Sequence, residues 1–149
     1  MKRAFTLIEL IFVIVVLGIL AVVAVPYYFG IEEQAQTNVA KAFAGTLYRT
    51  VGHSLWSKSL SAGKNGSIKN DGDGDSSKFF GKSLSVYTTI PKYFDENSVN
   101  FDNCVGSGQL ARPFIAKKSG VGEYNIFCRD GNASNAPYFV ADTRNTYQF

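Results

Sequence analysis

From Leu10 to Val25 the chain runs for sixteen residues without a charge or a polar side chain. Phe5 to Ile8 bring the apolar stretch to about the length that spans roughly 30 Å of hydrocarbon. Beyond Gly30 the pattern changes. Ile31, Ala35, Val39, Phe43, Leu47, Val51 and Leu55 recur every four residues, with Ala42 and Tyr48 beside them. That spacing predicts an amphipathic helix with one apolar stripe. Joined to the first run it makes one helix from about Phe5 to about Ser57, roughly 80 Å if unbroken. After Leu60, "SAGKNGSIKNDGDGDSSKFFGKS" is rich in Gly, Ser, Asn and Asp and reads as loop. Strand-like runs follow: "SVYTTI", "SVNFDNCV", "RPFIAKK", "EYNIFC" and "PYFVAD", with "RDGN" at Arg129–Asn132 as a turn between the last two. The prediction is an α+β fold, a long N-terminal helix packed on a C-terminal antiparallel sheet. Its divisions are 1–4, a short basic leader; 5–29, the apolar helix; 30–60, the amphipathic helix; and 61–149, a loop-rich β domain.

Glu9 interrupts the first run. A carboxylate deep in a bilayer costs roughly 2.5–3.5 kcal/mol on insertion scales, so its presence asks for a partner. A cleaved secretory signal would explain a basic start, an apolar stretch and a cut after Ala24. Against it stand the brevity of "MKRA", the length of the run and Glu9 itself. An ordinary anchor explains the length and leaves Glu9 unexplained. Gly18 and Pro26 weaken the helix, Pro26 because it lacks the amide hydrogen that a helix interior uses. Tyr27, Tyr28 and Phe29 stand where aromatics mark a membrane–water boundary.

The fifteen Lys and Arg outnumber the twelve Asp and Glu by three. Two of those cations, Lys2 and Arg3, precede the apolar run, where positive residues tend to stay cytoplasmic. The domain then lies on the far side. The rest is nearly neutral, which argues against nucleic-acid binding. Cys104 and Cys128 both fall in that external part, where an even count favours one disulfide. One His and no CxxC spacing argue against a metal pair.

The stretch "KRA/FTLIEL" resembles the class III signal of type IV pilins and the related pseudopilins of type II secretion. The shared pattern is a short basic leader ending in a small residue, then Phe-Thr-Leu-Ile-Glu and an apolar helix. The resemblance implies that a membrane-embedded prepilin peptidase cuts between Ala4 and Phe5 and methylates the new amine. Ala4 stands where Gly is more usual, and Glu9 matches the glutamate of the family. Gly18 and Pro26 fall where many members have a helix-loosening Gly and Pro. Cleavage leaves a cationic amine on Phe5, and residues four apart share a helix face. In a filament the Phe5 amine of an incoming subunit can meet Glu9 of one already in place, cancelling two buried charges and setting register.

The family reading makes the chain a structural subunit of a homo- or hetero-oligomeric filament, either a type IV pilus or a secretion pseudopilus. Its anchor would sit in the inner membrane, its C-terminal domain in the periplasm, and its partners would include an inner-membrane assembly platform. The rival is a solitary membrane-anchored periplasmic binding domain that never polymerises. Asp71, Asp73 and Asp75 alternate in "DGDGD", an oxygen-rich loop of a kind that can bind calcium. An EF-hand would want Gly and Glu where the chain has Ser76 and Lys82. His53, beside Trp56, reads as packing, because a catalytic His needs a positioned partner. No GxSxG, HExxH, P-loop or Rossmann pattern occurs, and the chain does not read as an enzyme.

Overall fold

The structure is a computed structural model describing residues 6–69, 74–120 and 122–149. Helix α1 spans Leu7–Thr46, a π-helical turn Leu47–Gly52 and helix α2 His53–Ser61. The chain divides into two compact units, Met1–Ala35 and Gln36–Phe149.

In the first unit, α1 runs unbroken through both Gly18 and Pro26. The expected weak points are therefore not breaks in this structure. Pro26 still leaves the carbonyl four residues earlier without its helical donor. A side chain at Gly18 would meet nothing within 4 Å. The described apolar side chains of this segment are exposed, Leu7 at 77 %.

In the second unit the helical stripe is buried from Ala40 onward, through Phe43, Ala44, Leu47, Val51 and Leu55 to Ser59. Its first three expected positions, Ile31, Ala35 and Val39, are exposed instead. An α-helix turns 3.6 residues per turn, so an every-fourth repeat drifts about 40° at each step. The π turn, with hydrogen bonds reaching one residue further, turns the stripe back. Two hydroxyls lie along this stretch: Thr46 Oγ1 donates to the Ala42 carbonyl at 3.0 Å and Thr50 Oγ1 to that of Thr46 at 2.7 Å. Gly52 ends the turn where the chain crosses closely. A Cβ there would stand 3.1 Å from the Phe139 ring and 3.4 Å from the Pro137 carbonyl.

Among the described residues, six short strands form three two-stranded antiparallel sheets: β1 (Lys78–Phe79) with β2 (Lys82–Ser83), β3 (Leu110–Ala111) with β6 (Tyr147–Gln148), and β4 (Asn125–Arg129) with β5 (Tyr138–Asp142). The β4–β5 register runs from Asn125 opposite Asp142 to Arg129 opposite Tyr138. The expected "EYNIFC" and "PYFVAD" strands are these two. "RDGN" supplies only the end of β4 and the start of the connection 130–137. The other expected strands are corrected. The start of "SVYTTI" is the end of a 3-10 turn, Leu84–Val86. "SVNFDNCV" holds the 3-10 turn Phe101–Asn103. "RPFIAKK" contributes single bridges, Ile115 to Ile126 and Lys117 to Phe94. The interior is aromatic: Phe79, Phe101, Phe114 and Phe139 follow one another with ring centroids 5.7, 5.1 and 5.4 Å apart.

Candidate assembly site

The first turn of α1 explains part of Glu9. Thr6 precedes the helix and Glu9 is its third residue. Glu9 N donates to Thr6 Oγ1 at 3.4 Å, while Thr6 N donates back to Glu9 Oε2 at 3.4 Å and Thr6 Oγ1 to the same oxygen at 3.3 Å. This reciprocal pair is a capping box, which gives partners to amides that the first turn of a helix leaves empty. Thr6 is not among the site residues expected from the sequence. The signal was present in "TLIE", a Thr followed three residues later by Glu just before an apolar run. The carboxylate is thus held in the first turn, exposed, among uncovered apolar side chains. Ala4 and Phe5, the expected processing site, lie outside the described residues.

Further along, Leu20, Val23, Ala24, Tyr27, Tyr28 and Ile31 line an almost wholly apolar groove. The helix Leu7–Ser61 holds a window long and apolar enough to cross a membrane, and no part of that window is buried by the chain itself. Tyr27 and Tyr28 are exposed at its end; the Phe29 side chain is outside the described set.

The other candidate residues sit in the second unit. Cys104 and Cys128 are joined by a disulfide, their Cα atoms 4.6 Å apart. Asp71 and Asp73 lie outside the described residues. Asp75 accepts from the amide and hydroxyl of Ser77 and pairs with Lys78 at 2.7 Å. Those contacts, the Lys78 hydrogen bond foremost, hold its carboxyl down to about 2. Among the described residues no group of three or more His, Cys, Asp or Glu gathers as a metal-ligand set. Asp142 is bound by both Nε and Nη2 of Arg144, at 2.8 and 2.9 Å, which lowers its carboxyl and raises the guanidinium. His53 contacts the rings of Tyr48 and Trp56, a packing role.

A capped helix start, an uncovered apolar helix and a small disulfide-linked α+β domain define the layout of a pilin-like protein. Residues 1–25 match the prokaryotic N-terminal methylation motif, the signature of type IV pilins and pseudopilins. The motif supports a type IV pilin-like precursor, and the family that carries the motif is structural. The motif and the long apolar helix fit a membrane-anchored protein. Comparison with curated proteins and with solved structures gave no match.

Proposed function

We propose that the chain is a filament subunit: cut between Ala4 and Phe5, methylated on Phe5, anchored in the inner membrane by α1, and assembled into a pilus or secretion pseudopilus. The domain formed by Gln36–Phe149 would face the periplasm before assembly. The observation that carries the reading is the uncovered apolar surface of α1 with Glu9 as the acidic residue in its first turn. Lipid can cover the apolar part. It gives no partner to a carboxylate, whereas the Phe5 amine of a second copy does. The capping hydrogen bonds from Thr6 leave Glu9 exposed to such a partner, because they engage one carboxylate oxygen, Oε2.

The test has two parts. Intact-mass measurement of membrane-extracted protein should give a chain starting at methylated Phe5; a start at Met1 or a cut after Ala24 would remove the pilin reading. Glu9→Ala should keep insertion and cleavage, since the span becomes more apolar and the leader is untouched. Filament yield should fall, because breaking half of a buried pair costs about 3–5 kcal/mol, roughly a hundredfold to several thousandfold in an equilibrium. Glu9→Gln keeps the shape, drops the charge, and should fall as well. A solitary anchor predicts no effect of either change, and normal filaments from Glu9→Ala would decide against pairing.

A further inference from the structure

Tyr48, on the π turn, is 36 % exposed, and Tyr138, at the start of β5, is 41 % exposed. Their rings meet edge to face with centroids 5.4 Å apart. Tyr48 lies 5.6 Å from the exposed His53, which lies 6.2 Å from Trp56. The Arg129 guanidinium sits over the Tyr138 ring at 5.6 Å. Rings of this size normally fill cores, and a surface cluster of Trp, Tyr and Arg is the composition that concentrates binding energy.

The strip borders a cleft of about 370 Å³ lined by Gly106, Ser107, Arg129, Asp130, Asn132 and Asn135, together with Gly131. Arg129 belongs to both strip and cleft. At the other end, Trp56 Nε1 donates to the Asn132 carbonyl at 2.7 Å, which fixes the indole against the cleft wall. The walls are held firmly. The Cys104–Cys128 disulfide lies beside them, Val105 N donates to the Cys128 carbonyl at 3.2 Å, and Asp130 N donates to the Val105 carbonyl at 2.8 Å. The Asp130 carboxylate is already engaged by the amides of Ile68 and Gly131, at 2.7 and 2.9 Å, and by the Ser67 hydroxyl. Two glycines let the loops touch: a Cβ on Gly66 would fall 2.3 Å from the Asn132 carbonyl oxygen, and one on Gly131 would fall 2.3 Å from that of Gly66. A site so fixed loses little freedom when a ligand enters.

Lys78 pairs with Asp75 and Arg144 with Asp142, whereas Arg129 pairs with no carboxylate among the described residues. A cleft lined by amides, a hydroxyl and a guanidinium does not suit an apolar ligand, which would leave those groups unpaired. Aromatic faces beside it suit a ring with an apolar C–H face and polar edges. We propose that this surface binds an acidic saccharide, a pyranose bearing a carboxylate. The ring stacks on the tyrosine strip, its carboxylate takes both arms of Arg129, and its hydroxyls reach Ser107 and Asn135. The proposal concerns the second unit and stands whether or not filaments form.

The test uses the full-length protein in a non-aromatic detergent. Trp56 is the single Trp of the chain and so reports from the site itself. Trigalacturonate should change its fluorescence saturably and bind at least about fivefold tighter than the methyl ester of the same trisaccharide, because only the acid offers Arg129 a charge. Arg129→Gln should abolish that preference, and Tyr138→Ala should weaken both ligands about tenfold. Retention of the disulfide and of the far-ultraviolet circular dichroism checks each variant. Should Arg129→Gln misfold, Tyr48→Ala at the helix surface takes its place and should weaken both ligands. No saturable binding by folded protein, equal binding of acid and ester, or variants that bind like the parent would each overturn the proposal. So would self-association that Tyr138→Ala removes in a protein that binds neither sugar.

Discussion

Leu17 and Leu47 lie on neighbouring stretches of one helical run, yet Leu17 is 59 % exposed and Leu47 is fully buried. Both would release similar free energy on leaving water, about 1.5–3 kcal/mol each. In the second unit that energy is used within the chain, under sheets and loops that cover the stripe from Ala40 to Ser59. In the first unit the chain supplies no cover. A contiguous apolar surface of this kind marks a membrane or protein contact. Hydrophobicity alone therefore does not tell folding from docking; the pattern around it does. The buried stripe is interrupted by Lys41, Arg49 and Ser57 on its outer side, whereas Leu10 to Val25 is apolar on every side. A helix apolar all round must be covered from outside itself.

The contrast can be broken at several points. Phe101→Ala should destabilise the second unit by about 3–5 kcal/mol, the range for emptying a buried aromatic site, read as a fall in the denaturant midpoint. Leu17→Ala should leave that midpoint unchanged while altering membrane retention or filament yield. If the two substitutions cost the same in detergent, the division into two regimes fails. Next in size, Cys104→Ala with Cys128→Ala should cost about 3–4 kcal/mol by the loop-closure argument, and melting followed with and without reductant measures it. Helicity of residues 7–35 should not respond. Thr6→Ala should cost about 1 kcal/mol, the ordinary value of a lost N-cap, confined to the first turn and visible as faster amide exchange there. Smallest is the Asp75–Ser77–Lys78 cluster. The Asp75 carboxyl is depressed from 3.8 to about 2, so its contribution is present above about pH 4 and lost as pH falls toward 2. Asp75→Asn should lower the melting temperature slightly near neutral pH, with the difference from the parent shrinking below about pH 4 and vanishing below about pH 2.

The long helix was legible because its apolar positions repeat over many turns, and the β4–β5 pair because Asn125–Arg129 and Tyr138–Asp142 are rich in aromatic and β-branched residues. The disulfide followed from compartment and count. "SVYTTI" and "SVNFDNCV" misled, because short apolar runs do not by themselves distinguish a strand from a turn. The better signal was polar. Asp95 accepts from Asn97 N and Asn100 from Asp102 N, each opening a 3-10 turn. Side chains of this type compete with strand pairing. The exposure of Ile31, Ala35 and Val39 could not be read from periodicity, which gives the face of a helix and not how far its cover reaches. At the candidate assembly site, Glu9 is legible as a charge in an apolar run, whereas the part of Thr6 rests on its hydroxyl, which accepts from the Glu9 amide.

The π turn at Leu47–Gly52 means that the helix carries one residue more than its path requires. A single-residue deletion inside that turn would let the backbone close into an ordinary α-helix. Val51, Leu55 and Ser59 would then move to positions three, seven and eleven after Leu47, which is normal α-helical phase. The same deletion placed in α2, between Leu55 and Ser59, would rotate everything beyond it by about 100° and pull Ser59 out of the core. Loss of a residue is usually ruinous in a buried helix. Here one stretch is set apart as the place where the chain could shorten and keep its packing.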